Sequence, residues 1–204
     1  MPDTGFVSPS LVANDGTIPN IGDQFWNDAT NAQADDSTFA DADTISGANP
    51  TTEGLRAEFS FSIPAGSVID GIEVRVKILD AFLNGTGNAW INTAVLSDGA
   101  GSSYGTTKSN LEIDFDGTNS FRDIIGSPTD LWGADGGGDP IDADKVNASG
   151  FGVAIQVERA TGALMNVDPN VDVIQMRVYY SSNTITHPRF GGTIIKGRNR
   201  AIGL

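Results

Sequence analysis

Four segments of this chain alternate apolar and polar residues with a period of two, and that pattern limits the fold more than any other feature. In LRAEFSFSI, Leu55, Ala57, Phe59, Phe61 and Ile63 share one side, with Arg56, Glu58, Ser60 and Ser62 on the other. In GIEVRVKI, Ile72, Val74, Val76 and Ile78 alternate with Glu73, Arg75 and Lys77. FGVAIQVER repeats the pattern through Phe151, Val153, Ile155 and Val157, and DVIQMRVYY through Ile174, Met176, Val178 and Tyr180. A strand sends successive side chains to opposite faces, so each segment reads as a strand with one face on a core. WINTAVL (Trp90 to Leu96) adds another strand, with Trp90 expected in the core.

Turn chemistry separates the strands. PAGS (Pro64 to Ser67) reads as a short hairpin link: Pro64 has no N–H to continue a ladder, and Gly66 allows the reversal. NGTGN (Asn84 to Asn88) carries an Asn-Gly reversal, and GSSYGTT, FDGTNSF and GADGGGDP read as loops. A short helix is expected around Ile141 to Asn147, capped by Asp142 or Asp139. Gly150 and Gly152 flank Phe151, which predicts close backbone approach or a bulge there. Many short strands without a helical period predict an all-β fold. A closed barrel would fit. The long irregular loops between central strands favour an antiparallel, jelly-roll-like β-sandwich. The first and last twenty residues lack any sustained pattern. The expected organisation is an N-terminal arm over 1–20, a sandwich over 21–183 and a basic C-terminal arm over 184–204, the arms ordered by a partner.

Charge is distributed unevenly. The chain has 12 Lys and Arg against 26 Asp and Glu, a formal charge of −14. The stretch THPRFGGTIIKGRNRAIGL holds His187, Arg189, Lys196, Arg198 and Arg200 and no acid. Residues 1–183 retain eight basic residues against 26 acidic ones, a formal charge of −18. Such a body repels nucleic acid. No apolar run approaches the roughly 20 residues of a membrane helix. MPDTGFVSPS has neither a basic nor an apolar signal region, so no signal peptide is expected and release would be by lysis.

Little in the chain reads as catalytic chemistry. There is no Cys and one His, so a Cys/His zinc site cannot form within one chain and a histidine-based triad has little to build on. No phosphate-binding glycine loop occurs. A glycosidase needs only two carboxylates, but among 26 acids such pairs arise by chance, and surface or loop positions are the plain reading. No cofactor is expected. Ca²⁺ stays open because ADDSTFADAD (Ala34 to Asp43) and DFDGTNSFRD (Asp114 to Asp123) are Asp-dense, although neither matches an EF-hand loop. Trp26, Trp90, Trp132, Tyr104, Tyr179 and Tyr180 are candidates to stack on sugars. Trp132, in DLWGADGGG, is the best placed for a glycan contact; the alternative for it is a packed loop anchor.

The order FWNDATNAQADDSTFADAD, LRAEFSFSIPAGSVIDGIEVRVKI, DLWG, DADKVNASGFGVAIQV, VDVIQMRVYY resembles a β-sandwich domain of tailed-phage structural proteins. The likeness spans about residues 25 to 180, and its motifs are packing and turn motifs. Asn27-Asp28 stands where the family has Asn-Pro after tryptophan. The resemblance implies a virion component, assembled in the host cytoplasm.

The tail cannot fold alone, having four glycines and no period in RFGGTIIKGRNRAIGL. Arg189, Phe190, Ile194, Ile195, Lys196, Arg198, Arg200, Ile202 and Leu204 are the candidate partner-binding residues, the apolar ones as anchors and the cations steering toward an acidic surface such as a sister subunit. The expected function is a non-enzymatic capsid decoration, cement or similar accessory subunit, with other virion proteins and its own copies as partners. The alternatives are a tail-fibre or receptor-binding module that holds host glycans, and an enzyme of glycan cleavage.

Overall fold

The alternating segments become central strands of two antiparallel sheets. The structure, a computed structural model, describes residues 1–19, 22–42, 44–46, 51–82, 89–99, 101–114, 119–122, 124–133, 139–159 and 167–182. In chain order the strands are β1 (Leu11–Asp15), β2 (Trp26–Asn27), β3 (Ala40–Ala42), β4 (Gly54–Glu58), β5 (Val68–Phe82), β6 (Ala89–Ser97), β7 (Ser103–Asp114), β8 (Ser120–Phe121), β9 (Ile125–Ser127), β10 (Gly152–Arg159) and β11 (Val167–Ser181). One sheet runs β1-β4-β10-β6-β7 and the other β2-β3-β11-β5-β8, with β9 also on β5. The short helix α1 (Ala143–Val146) is capped by Asp142, whose carboxylate accepts from Lys145 N–H at 2.9 Å.

Inward positions from both sheets merge into one core. Leu55, Ala57, Ile91, Leu96, Val153 and Ile155 from one sheet pack with Ile72, Val74, Val76, Ile174, Met176 and Val178 from the other. Burying a side chain of this size contributes about 1.5–3 kcal/mol, and an alternating strand delivers one every second residue. The all-β sandwich is thus the direct product of the period-two pattern.

The glycine expectation holds. A Cβ on Gly152 would lie 1.9 Å from the Ala57 carbonyl oxygen of the adjacent strand β4, and Gly150 has φ +90 with its backbone against Asp98 and Gly99. Close approach is what excludes a side chain beside Phe151, itself fully buried.

Four expectations are corrected. PAGS turns as predicted, with Ser67 N–H donating to Pro64 O at 3.1 Å, but it is no hairpin link. It carries the chain from β4 in one sheet to β5 in the other. GSSYGTT belongs largely to the twelve-residue β7. Trp90 is half-buried on the face away from the core, because Ile91 takes the inward position.

The fourth correction concerns the N-terminal arm, which is built into the body. Val7 and Met176 exchange backbone hydrogen bonds at 2.9 and 3.1 Å, Thr4 N–H donates to Val178 O at 3.1 Å, and β1 pairs with β4 over five residues. The reason lies in β11. Beyond β5, its other edge is completed in turn by Ile45 at Val167, β3 at Asn170 and Val171, Gln33 at Val173, Val7 at Met176 and Asp3 at Tyr179. Buried backbone groups need partners, and the N-terminal residues supply the last of them. Phe6 adds a second hold, lying 4.0 Å from the Arg75 guanidinium and 4.0 Å from that of Arg177, while Phe121 covers Arg75 at 3.9 Å. Each such contact contributes about 0.5–1 kcal/mol. The C-terminal arm, 184–204, lies outside the described residues.

Candidate functional site

A groove lies at the end of the sandwich where β11 begins. It encloses about 490 Å³ and is lined by Asp28, Asn31, Phe39, Asp41, Ala42, Thr44, Asp168 and Asn170. Local structure explains how these residues arrive there. Asp28 adopts a left-handed conformation (φ 47, ψ 41), which Asp tolerates better than most residues, and so turns the chain from β2 into the 3-10 turn Ala29–Ala32. Asn31 N–H then donates to Asp28 O at 2.8 Å, and its side-chain amide donates to Phe39 O at 3.0 Å. β3 places Asp41 opposite Asn27, whose amide donates to the Asp41 carboxylate at 3.2 Å. Asp168 and Asn170 come from the outward positions of β11, with Asn170 Nδ2 donating to Asp168 O at 2.9 Å.

The groove is acidic and polar. Among the described residues that line it, none is cationic. Asp168 Oδ1 is buried and finds no hydrogen-bond partner among the described residues. The three carboxylates stand around the groove without converging: among the described residues no group of three acidic or histidine side chains is gathered closely enough to hold a metal ion. Of the Asp-dense stretches, Asp35 pairs with Lys77, Asp36 accepts from Thr38 N–H at 2.9 Å, and Asp114 to Asp123 is described only in part.

Beside the groove, β11 carries a bulge at Asp172 that shifts its register against β5 between Val171 and Val173. Asp172 is fully buried. Its carboxylate accepts from Asp36 N–H at 3.2 Å, Ser37 N–H at 3.0 Å and Asn119 Nδ2 at 2.9 Å, and pairs with Lys77 Nζ at 3.0 Å. Burial pushes this carboxyl up, but the hydrogen bonds from Asn119, Lys77, Ser37 and Asp36 outweigh it and leave its pKa below the ordinary value. Asp15 behaves alike through Thr17, Ile18 and Arg56, and Asp130 through Lys108 and Trp132. A carboxylate whose folded pKa is depressed adds stability above its unfolded pKa, and that stability is lost as pH falls through the folded value. The melting temperature is therefore expected to hold from pH 7 to 5 and to drop below about pH 4, near the unfolded carboxylate range. Calorimetry across that interval is the check; a flat profile down to pH 3 contradicts the assignment.

The predicted site residues fare unequally. Trp132 is no glycan platform: it is 1% exposed, its indole N–H donates to Ile72 O at 3.0 Å, and Lys108 Nζ lies 4.9 Å from its ring centre. The ring is buried because its loop joins the two sheets, with Thr106 N–H of β7 donating to Trp132 O at 2.5 Å and Ile72 N–H of β5 donating to Asp130 O at 3.0 Å. Trp26 is also buried, with its indole N–H on Glu53 O at 2.9 Å, and Tyr104, Tyr179 and Tyr180 pack against or within the body. Arg189, Phe190, Ile194, Ile195, Lys196, Arg198, Arg200, Ile202 and Leu204 lie outside the described residues. The groove was missed by sequence reading because it joins residues 28–44 to residues 168–170.

Six of the body's cations, Arg56, Arg75, Lys77, Lys108, Lys145 and Arg177, are engaged within the body. Arg56 pairs with Asp15 at 3.1 Å and with Glu58; Lys77 with Asp35 and Asp172; Lys108 with Asp130 at 2.6 Å. Arg75 donates to Gln175 Oε1 at 2.9 and 2.7 Å between its two rings, and Arg177 donates to the Tyr179 hydroxyl at 2.9 Å. Arg122 and Arg159 also have partners. No known protein family, curated protein or solved structure gives a significant match to this chain.

Proposed function

We propose that this chain is a non-enzymatic structural subunit of a tailed-phage virion, a capsid decoration, cement or similar accessory protein, joined to its neighbours through the cationic C-terminal segment. One observation carries the reading: Arg56, Arg75, Lys77, Lys108, Lys145 and Arg177 are engaged within the body, and Arg122 and Arg159 also have partners, whereas Arg189, Lys196, Arg198 and Arg200 follow in a stretch without a single acid. An acidic surface with no cations of its own to spare is complementary to that segment on another copy or on a neighbouring virion protein. The strand order supports a jelly-roll subunit. β3-β11-β5-β8 faces β4-β10-β6-β7, the chain crossing repeatedly between sheets, as in a double Greek key.

The glycan-binding alternative loses its sequence-predicted ring with Trp132, and the groove around Phe39 is the surface left to it. The test is incorporation. A full-length chain with Arg189, Lys196, Arg198 and Arg200 changed to Gln is expected to fold with an unchanged melting temperature and to be lost from purified particles. Retention at wild-type copy number defeats the proposal. Binding of the groove to host-surface saccharides by that same variant supports the alternative.

A further inference from the structure

The groove and the last described residues, Ser181 and Ser182, lie at opposite ends of one strand. Asp168 stands at the start of β11 and Ser181 at its end, where Tyr180 N–H meets Pro2 O and Ser181 pairs with Val68. At ~3.3 Å per residue, about 40 Å of strand separates them. From Ser182, a fully drawn-out chain reaches at most about 25 Å by Arg189, short of its own groove. Lys196 would span the gap only with the chain drawn out to about four-fifths of its full length, and Arg200 with about two-thirds, along a path over the sheet. The outer face of that sheet already carries the N-terminal residues, with Phe6 over Arg75 and Arg177. A second copy has no such restriction.

The chemistries of the two ends also match. In KGRNR, Lys196, Arg198 and Arg200 are spaced two apart, so an extended backbone sets all three cations on one side about 7 Å apart. The groove offers Asp28, Asp41 and Asp168 spread around its rim, an arrangement that suits a row of cations better than one ion. Asp168 is half-buried on the groove wall, where a carboxylate can pair with a guanidinium or ammonium. Phe39 and Ala42 give the groove an apolar lining against which Ile202 or Leu204 can pack. We infer that the groove of Asp28, Asp41 and Asp168 is the docking site for the Lys196–Arg200 stretch of another copy of this chain. The inference rests on the subunit reading above and names the surface it uses.

The test uses two full-length chains. In one, Arg189, Lys196, Arg198 and Arg200 are Gln; in the other, the groove carries Asp28→Asn, Asp41→Asn and Asp168→Asn. A labelled peptide of residues 184–204 is titrated against the first chain at low salt, alone and with the groove changes added. Saturable binding is expected, weakened roughly ten- to hundredfold by the groove changes. It should change less than about twofold when Glu112, Asp139 and Asp144, three exposed acids elsewhere, are neutralised instead. Asp28→Asn with Asp41→Asn serves as the second variant should the triple change disturb β11. By sedimentation, each full-length chain alone should be monomeric and their mixture should form a one-to-one complex. Equal weakening by the groove and control sets overturns the groove while leaving a charge-based subunit contact standing. No complex in the mixture overturns docking between copies. Absence of peptide binding to any chain overturns the groove, and the incorporation assay then decides the subunit reading separately.

Discussion

Replacing Trp132 with alanine is expected to destabilise the protein by about 3–5 kcal/mol, the usual range for removing a large buried aromatic. The size of the loss follows from position. The indole fills the core between the sheets, its N–H satisfies Ile72 O, and the backbone on either side ties β5 to β7. Removing the ring leaves a cavity, an unpaired carbonyl and a freed crossing between sheets. Trp132→Phe keeps most of the packing and loses the hydrogen bond, so its cost should fall to about 1–3 kcal/mol. Urea denaturation of both variants is the measurement. A loss below 1 kcal/mol for the alanine variant would mean that the loop does not close the sandwich.

Asp172→Ala should cost a similar amount, about 3–5 kcal/mol, as expected when one member of a buried ion pair is removed. Here the damage is shared among several donors. Lys77 keeps Asp35, while Asn119 Nδ2 and the Asp36 and Ser37 amides lose the Asp172 acceptor. Faster hydrogen exchange at Ser37, together with a lower denaturation midpoint, is the expected signature. Unchanged exchange at Ser37 contradicts the role given to this carboxylate.

The strands whose faces differ were legible from the residues alone. Ile72, Val74, Val76 and Ile78 alternate because one side of β5 meets the core and the other carries Glu73, Arg75 and Lys77. The Asp172 bulge was not legible, since an extra residue in β11 is defined by its pairing with β5 and leaves no mark in local composition. Glycine misled the reading of Trp132. Gly133 is exposed, but it has φ +83 and a Cβ there would lie 2.5 Å from Thr106 Oγ1, so it marks a tight turn against β7 that leaves the Trp132 ring inside. Residues 1–15 carry no period long enough to register. Their hold is mostly backbone pairing with β4 and β11, to which side-chain pattern is blind. The groove failed for a related reason, being assembled from chain segments that only the finished sheet brings together.

The placement of β11 has a kinetic consequence. It is the last of the described strands and yet sits in the interior of its sheet, where β5, β3, Ile45, Gln33, Val7 and Asp3 all pair with it. During synthesis, Asp3 and Val7 cannot find their partners Tyr179 and Met176 until about 170 further residues have been made. Pairings this distant in sequence make for slow folding. A chain released short of β11 would carry open sheet edges on both halves of the missing seam, the kind of surface that proteolysis and aggregation act on first.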